Sequence, residues 1–181
     1  MKPRQLALLT TLALLAATSV GSAQTPDPCA LATLAELQPA FPGVKAGKTI
    51  RSLEKEGILS CEWAFATGRV VLVAGADSSE DTPVDEAKTL MNAFVDPTRP
   101  DAERRARVET LPGVGDKTVA VLESEDKAKG FTQSGLVLVV RRGKRQVALM
   151  AVPPGDLTRR ARADALKVIA ELGKAIARRL S

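Results

Sequence analysis

The sequence predicts an α+β domain: an antiparallel sheet of about five to seven strands covered by helices, an α/β sandwich with one disulfide. Three observations carry that expectation. Leu59, Cys61, Trp63 and Phe65 alternate with Ser60, Glu62, Ala64 and Ala66, the period-two signature of a strand with one buried face. Gly135–Val140 is an unbroken apolar run, as expected of a central strand covered on both sides. Between Leu157 and Leu180, apolar residues recur every three or four positions, which makes an amphipathic helix. With hairpin connections, the order reads α-β-β-β-α-β-β-β-β-α, and such an order builds an α+β layer structure.

Taken in order, Asp27 caps a first helix that has Pro28 at its first position. Leu31, Leu34 and Leu37 continue it at helical spacing until Pro39 stops it. Its apolar stripe is narrow, so it should lie on a surface. Gly47–Leu53 reads as a weak edge strand. The strand bearing Cys61 and Trp63 turns at Thr67-Gly68 into Arg69–Ala74, completing a hairpin.

Thr82-Pro83 opens a second helix, with Asp85 in a capping-box-like position and Val84, Ala87, Leu90, Met91 and Phe94 on its apolar side. The stretch Asp96–Arg107 (DPTRPDAERRAR) is charged and proline-bearing and reads as an exposed, mobile loop. Val108–Leu111 is a strand, Pro112–Asp116 a turn and Thr118–Glu123 another strand. Ser124–Lys129 reads as a polar loop. Arg142–Arg145 turns the chain from Gly135–Val140 into Gln146–Val152, and Pro153-Pro154-Gly155 ends the sheet.

The last helix is expected from about Leu157, capped by Asp156, to near Leu180. Leu157, Ala161, Ala165, Ile169, Leu172, Ile176 and Leu180 form its buried side; Arg159, Arg160, Lys167, Lys174 and Arg178 form the other. Because Gly135–Val140 asks for cover on both faces, the first and last helices are expected on opposite sides of the sheet. No internal repeat or second domain boundary is visible within 27–181.

Composition removes several chemistries. Across 181 residues there are 26 Lys+Arg, 21 Asp+Glu and no His, so every mechanism that needs an imidazole is excluded. Aromatic residues make up 3%, too few for a base-stacking platform, and nucleic acid is not an expected partner. Hydrophobic residues at 45% suffice for a buried core.

The N-terminus reads as an address. Lys2 and Arg4 precede the apolar run Leu6–Val20, and Gly21-Ser22-Ala23 supplies small residues for cleavage after Ala23. Residues 1–23 are thus a signal peptide, 24–26 a short linker and 27–181 the domain. The apolar run is shorter than the roughly 20 residues a spanning helix needs, so the mature chain should carry no stable membrane span. The expected location is a periplasm or the medium. In that oxidising setting Cys29 and Cys61 are expected to pair, in preference to a reactive thiol couple, for which Cys-x-x-Cys spacing is missing.

Three motifs invite a functional reading. Gly43-Val44-Lys45-Ala46-Gly47-Lys48-Thr49 resembles a phosphate-binding loop but is one residue short between its glycines and follows a helix, so it reads as a linker. The turn Gly113-Val114-Gly115-Asp116 either presents amides to an anion or uses its glycines for positive φ while Asp116 satisfies local amides. Arg141, Arg142, Lys144 and Arg145 cluster at a hairpin tip, as a contact for anionic headgroups or wall polymer or simply as solubilising charge. Glu62, Asp116 and Glu123 are the acids nearest strand faces or glycine turns, and no spacing pairs any two of them for acid–base work. No catalytic residue, metal ligand set or cofactor motif is assigned.

Asp27-Pro28-Cys29-Ala30-Leu31, Cys61-Glu62-Trp63 and Gly113-Val114-Gly115-Asp116, followed by a hairpin and an amphipathic helix, resemble an uncharacterised family of bacterial envelope proteins, many of them actinobacterial lipoproteins. The resemblance implies an α/β sandwich similar to the fold shared by Mog1 and PsbP, and no activity. This chain lacks the lipidation cysteine, so membrane anchoring does not carry over; Lys117 and Thr118 also depart from the small or acidic residues expected after the turn. The expected function is a secreted or periplasmic, non-catalytic domain that binds a protein or envelope component, its contact surface the 141–145 tip with the 96–107 loop. The alternatives are a carrier of a small apolar ligand held between sheet and helix, and a hydrolase of unfamiliar design.

Overall fold

A computed structural model describes residues 27–53, 58–76, 83–95, 104–126, 131–152 and 155–181. The expected signal peptide (1–23) and linker (24–26), the expected Thr82 cap and positions 96–103 and 127–130 lie outside the described residues. The described residues form seven strands: β1 (Lys48–Leu53), β2 (Ile58–Phe65), β3 (Gly68–Ala76), β4 (Arg104–Thr110), β5 (Lys117–Asp126), β6 (Phe131–Arg142) and β7 (Arg145–Val152). Three α-helices accompany them: α1 (Leu34–Leu37), α2 (Pro83–Val95) and α3 (Arg162–Arg179).

The strands form one antiparallel sheet in the order β1-β2-β3-β7-β6-β5-β4. The chain lays down β1 to β3 as a meander and crosses through α2. It then starts β4 at the far edge and returns strand by strand until β7 pairs with β3. An all-antiparallel α+β sandwich with one disulfide is therefore the fold, as the periodicities predict.

The strand pleat divides the core in two. On one face, Cys61, Trp63, Val70, Leu72, Leu136, Leu138, Val140, Val147 and Leu149 pack with Ala165, Ile169, Leu172 and Ile176 of α3. On the other, Val119, Val121, Val137, Val139, Ala148 and Met150 gather around Ala87 of α2, with Val84 and Leu90 partly buried beside them. Residues 136–140 are buried on both faces, which accounts for their unbroken apolar run.

Several expectations need correction. The N-terminal segment is not one helix: a 3-10 turn, Pro28–Ala30, is followed by a break and then by the four-residue α1. Thr33 caps α1 in a reciprocal capping box with Glu36, and this local device overrides the leucine spacing that runs through it. Leu31 and Leu37 still reach the core, whereas Leu34 is 41% exposed. Leu37, Ala40 and Phe41 are fully buried, and the Phe41 ring lies 5.3 Å from that of Phe65.

The N-terminal segment and α3 lie on the same face of the sheet, not on opposite faces; α2 supplies the second cover. Positions 104–107, expected in a loop, begin β4, and 124–126 extend β5. There Arg104 and Arg105 stand opposite Asp126 and Glu125 in the backbone register. The C-terminal helix does not start at Leu157. Gly155–Arg159 is a 3-10 turn containing Asp156, and α3 begins at Arg162 with Ala161 as an N-cap that has no side-chain bond. Ala161 is exposed and does not join the buried stripe.

Candidate functional site

The disulfide comes first because it fixes the N-terminal segment. Asp27 accepts the Cys29 amide at 3.0 Å and closes the 3-10 turn, which sets Cys29 above β2. Cys61 points to the same face as Trp63, and the bridge forms with Cα atoms 5.0 Å apart across a separation of 32 positions. Thr49 on the edge strand brings its hydroxyl within 3.3 Å of the Cys29 sulfur and 3.4 Å of Asp27 Oδ1. Gly47 passes so close that a Cβ there would stand 2.7 Å from the Cys61 sulfur and collide with the Trp63 indole. Its lack of a side chain serves the staple.

The glycine turn and the basic tip, 25 or more positions apart in sequence, are one assembly. Gly113 and Gly115 adopt φ of 74° and 59°. Between them Val114 is buried and sits under Gly173 of α3, where a Cβ would approach it to 2.8 Å. A Cβ on Gly115 would lie 2.6 Å from the Arg141 carbonyl oxygen, so the turn and the end of β6 touch through backbone. The Asp116 amide donates to that carbonyl at 2.9 Å. The Asp116 carboxylate accepts the Gly143 amide at 2.6 Å. Asp116 thus serves a distant amide, not local ones, and its own N–H is spent inside the protein.

The tip turns on Gly143 (φ 58°) and Lys144, and the pleat distributes its cations. Arg142 and Arg145 belong to the α3 face. Arg142 donates to the Ala177 carbonyl at 3.1 Å, and Arg145 to the Leu180 carbonyl at 3.3 Å. Both carbonyls lie in the last turn of the helix and its cap, where i+4 amides run out, at the negative end of its dipole. Arg141 belongs to the α2 face and is paired in register with Lys117. Beside them, Gln146, 9% exposed, donates its side-chain amide to Glu86 of α2.

Positions 104–107 do not share this surface. They pair with the far end of β5, where the partners of Arg104 and Ala106 lie roughly 30 and 23 Å along the strand from Lys117 at some 3.3 Å per residue. Nor do the acids converge. Asp116 holds Gly143, Glu62 meets Arg69 at 3.4 Å on the β2–β3 hairpin, and the side chain of Glu123 lies outside the described residues. Among the described residues no group of three or more His, Cys, Asp or Glu comes together as metal ligands would. No described helix is long and apolar enough to cross a membrane.

Sequence reasoning missed a concave site. A groove of about 390 Å³ runs between α1 and α3. Leu172 and Ala175 form its floor, Pro39 and Val168 its apolar walls, and Glu36, Lys167, Glu171 and Arg178 its rim. It exists because α1 is a short, separately capped helix lying across α3. Arg179 clamps the two, giving both guanidinium nitrogens to Glu36 at 2.9 Å and reaching the Leu31 carbonyl at 3.3 Å. Arg160 adds a second tie between the segments, donating to the Pro39 carbonyl at 2.6 Å. The sequence signal that could have found the groove is Thr33-x-x-Glu36, a capping box inside the leucine repeat.

The rim charges are unequal. Partial burial pushes the Glu36 carboxyl up, but the Arg179 hydrogen bonds, the Thr33 amide and hydroxyl and the Arg179 charge together outweigh it and hold the group below the ordinary carboxylate range. Glu171 is also lowered, first by its hydrogen bond to Lys174 at 2.7 Å, then by the charges of Lys174 and Arg178. Lys167 pairs with Asp164 at 3.2 Å. Arg178 makes no side-chain hydrogen bond or ion pair among the described residues. Comparison of the chain with protein-family models, curated proteins and solved structures finds no match.

Proposed function

We propose that the protein is an exported, non-catalytic domain that docks on an anionic component of the cell envelope through the end of the sheet where β5 begins and β6 turns into β7. The observation that carries this reading is the Asp116–Gly143 bond, which fastens the start of β5 to the hairpin tip and so collects Lys117, Arg141, Arg142, Lys144 and Arg145 at one end. Lys117, Arg142 and Lys144 are exposed there. Arg142 and Arg145 are tied to α3 carbonyls, so they add to the field without being free to move. Export is supported by the signal-peptide pattern of residues 1–23 and by the disulfide.

Lys117 and Lys144 are the residues to change, because their removal leaves the α3 clamp intact. The wild-type domain should co-sediment with vesicles rich in anionic lipid, or with isolated wall polymer, and not with zwitterionic vesicles. Binding should fall steeply with salt. Reversing both charges, Lys117→Glu and Lys144→Glu, should weaken binding about tenfold or more, at roughly 1 kcal/mol per basic residue near such a surface. Equal binding by the double variant at low salt would overturn the reading.

A further inference from the structure

We infer that the α1–α3 groove binds a small amphiphile carrying one carboxylate, its apolar tail along Pro39, Val168 and Leu172 and its head group on Arg178. This goes beyond docking at the tip and rests on different residues. The groove's volume of about 390 Å³ falls within the range of pockets that take small organic ligands. Its walls are apolar and open to water, so covering them with hydrocarbon is favourable. The aliphatic stems of Lys167 and Arg178 extend that surface towards the rim.

The charge pattern selects the head group. Both acids of the rim are already neutralised, Glu36 by two nitrogens of Arg179 and Glu171 by Lys174. Lys167 is held only by Asp164, an exposed pair three positions apart of the kind that contributes little. Arg178 alone on the rim has no hydrogen-bonded or ion-paired partner among the described residues; its charge bears on the exposed Glu171, which Lys174 already holds by a hydrogen bond, and Arg160 and Arg179 add positive charge through their bonds to Pro39 and Glu36. A complementary ligand is therefore anionic, and a guanidinium fork fits a carboxylate with two parallel hydrogen bonds. A single small head group suits a single available guanidinium.

The test uses the exported domain and decanoate below its micelle concentration, read by amide chemical-shift changes, with decanol as the neutral analogue. Decanoate should saturate, with shifts centred on Val168, Leu172, Ala175 and Arg178, and decanol should bind about tenfold more weakly. Arg178→Gln should bring decanoate down to the level of decanol. Val168→Trp, which fills the groove, should abolish both while the remaining spectrum stays native. Lys117→Glu with Lys144→Glu should leave decanoate binding unchanged, which separates this site from the tip. Equal binding of acid and alcohol by the wild type, shifts centred on the hairpin tip, absence of saturable binding, or capture of an acidic peptide without decanoate would each overturn the inference.

Discussion

The Asp116 carboxylate accepts the Gly143 amide hydrogen at 2.6 Å, joining two turns that are 27 positions apart. With the Asp116 N–H given to the Arg141 carbonyl at 2.9 Å, one residue both donates to the end of β6 and accepts from the turn that follows. The tight approach of Gly115 to the same carbonyl makes the contact possible.

Asp116→Ala should therefore destabilise the domain by about 1–2 kcal/mol, the usual effect of losing a hydrogen bond to a charged acceptor. Asp116→Asn keeps an acceptor oxygen and should recover part of the loss. Urea midpoints at constant m-value measure both. A variant indistinguishable from wild type would show that the two turns are held together without this bond.

The Cys29–Cys61 bridge closes a loop with a sequence separation of 32, for which chain entropy gives about 3–4 kcal/mol. Cys61→Ala in combination with Cys29→Ala should lower stability by that order. A reducing agent should do the same to the wild type and nothing to the double variant. Because Thr49, Gly47 and Trp63 all crowd the bridge, amide exchange should rise first in β1 and the Pro28–Ala30 turn. Thermal unfolding with and without reductant is the measurement.

Arg142 and Arg145 cap α3 from outside, so their removal should loosen the last turn of that helix. Alanine at either position should cost roughly 0.5–1 kcal/mol, in the range of a cation near a helix C-terminus. The amides of the last turn of α3 should exchange faster. Lys144→Ala should leave stability unchanged, since its side chain makes no bond among the described residues. Hydrogen exchange on the three variants separates a structural arginine from a solvent-facing lysine.

How far these relationships were legible differs by residue. Cys61 and Trp63 were readable as inward-facing because alternation along β2 reports burial on one side. Leu136–Val140 announced a two-sided environment because both faces are filled with hydrocarbon. Arg104–Arg107 misled because the edge strand they begin is held by its backbone ladder to β5, and hydropathy carries no information about cross-strand partners. The helix break at 31–33 was overlooked because the leucine spacing continues through it, although Thr33 and Glu36 marked a new start. Asp116–Gly143 and the Arg142 and Arg145 caps are tertiary bonds, which no local pattern encodes. The groove follows from placing α1 and α3 on the same face, a choice that one buried strand cannot decide.

Glu36 and Arg179 make the stability of the α1–α3 contact dependent on pH. The Glu36 carboxyl is held below its ordinary range in the folded protein, so in mildly acid solution the unfolded chain binds the proton first. Stability from this pair is then complete above the unfolded carboxylate value of about 4.3 and is lost as pH falls through the folded value. Glu36→Gln cannot ionise, so it should be less stable than wild type at neutral pH, by about 1 kcal/mol for a half-buried, two-nitrogen pair, and the gap should close on acidification. Arg179→Ala should behave alike and should also free the Leu31 carbonyl. Glu171→Gln should change the profile less, because that carboxylate is solvent-exposed and its partner is three positions away on the same helix. Urea midpoints of wild type and Glu36→Gln, followed from neutral pH down through and below the ordinary carboxylate value of about 4.3, decide the point. Parallel curves would mean that the clamp between the two helices is carried by backbone contacts alone.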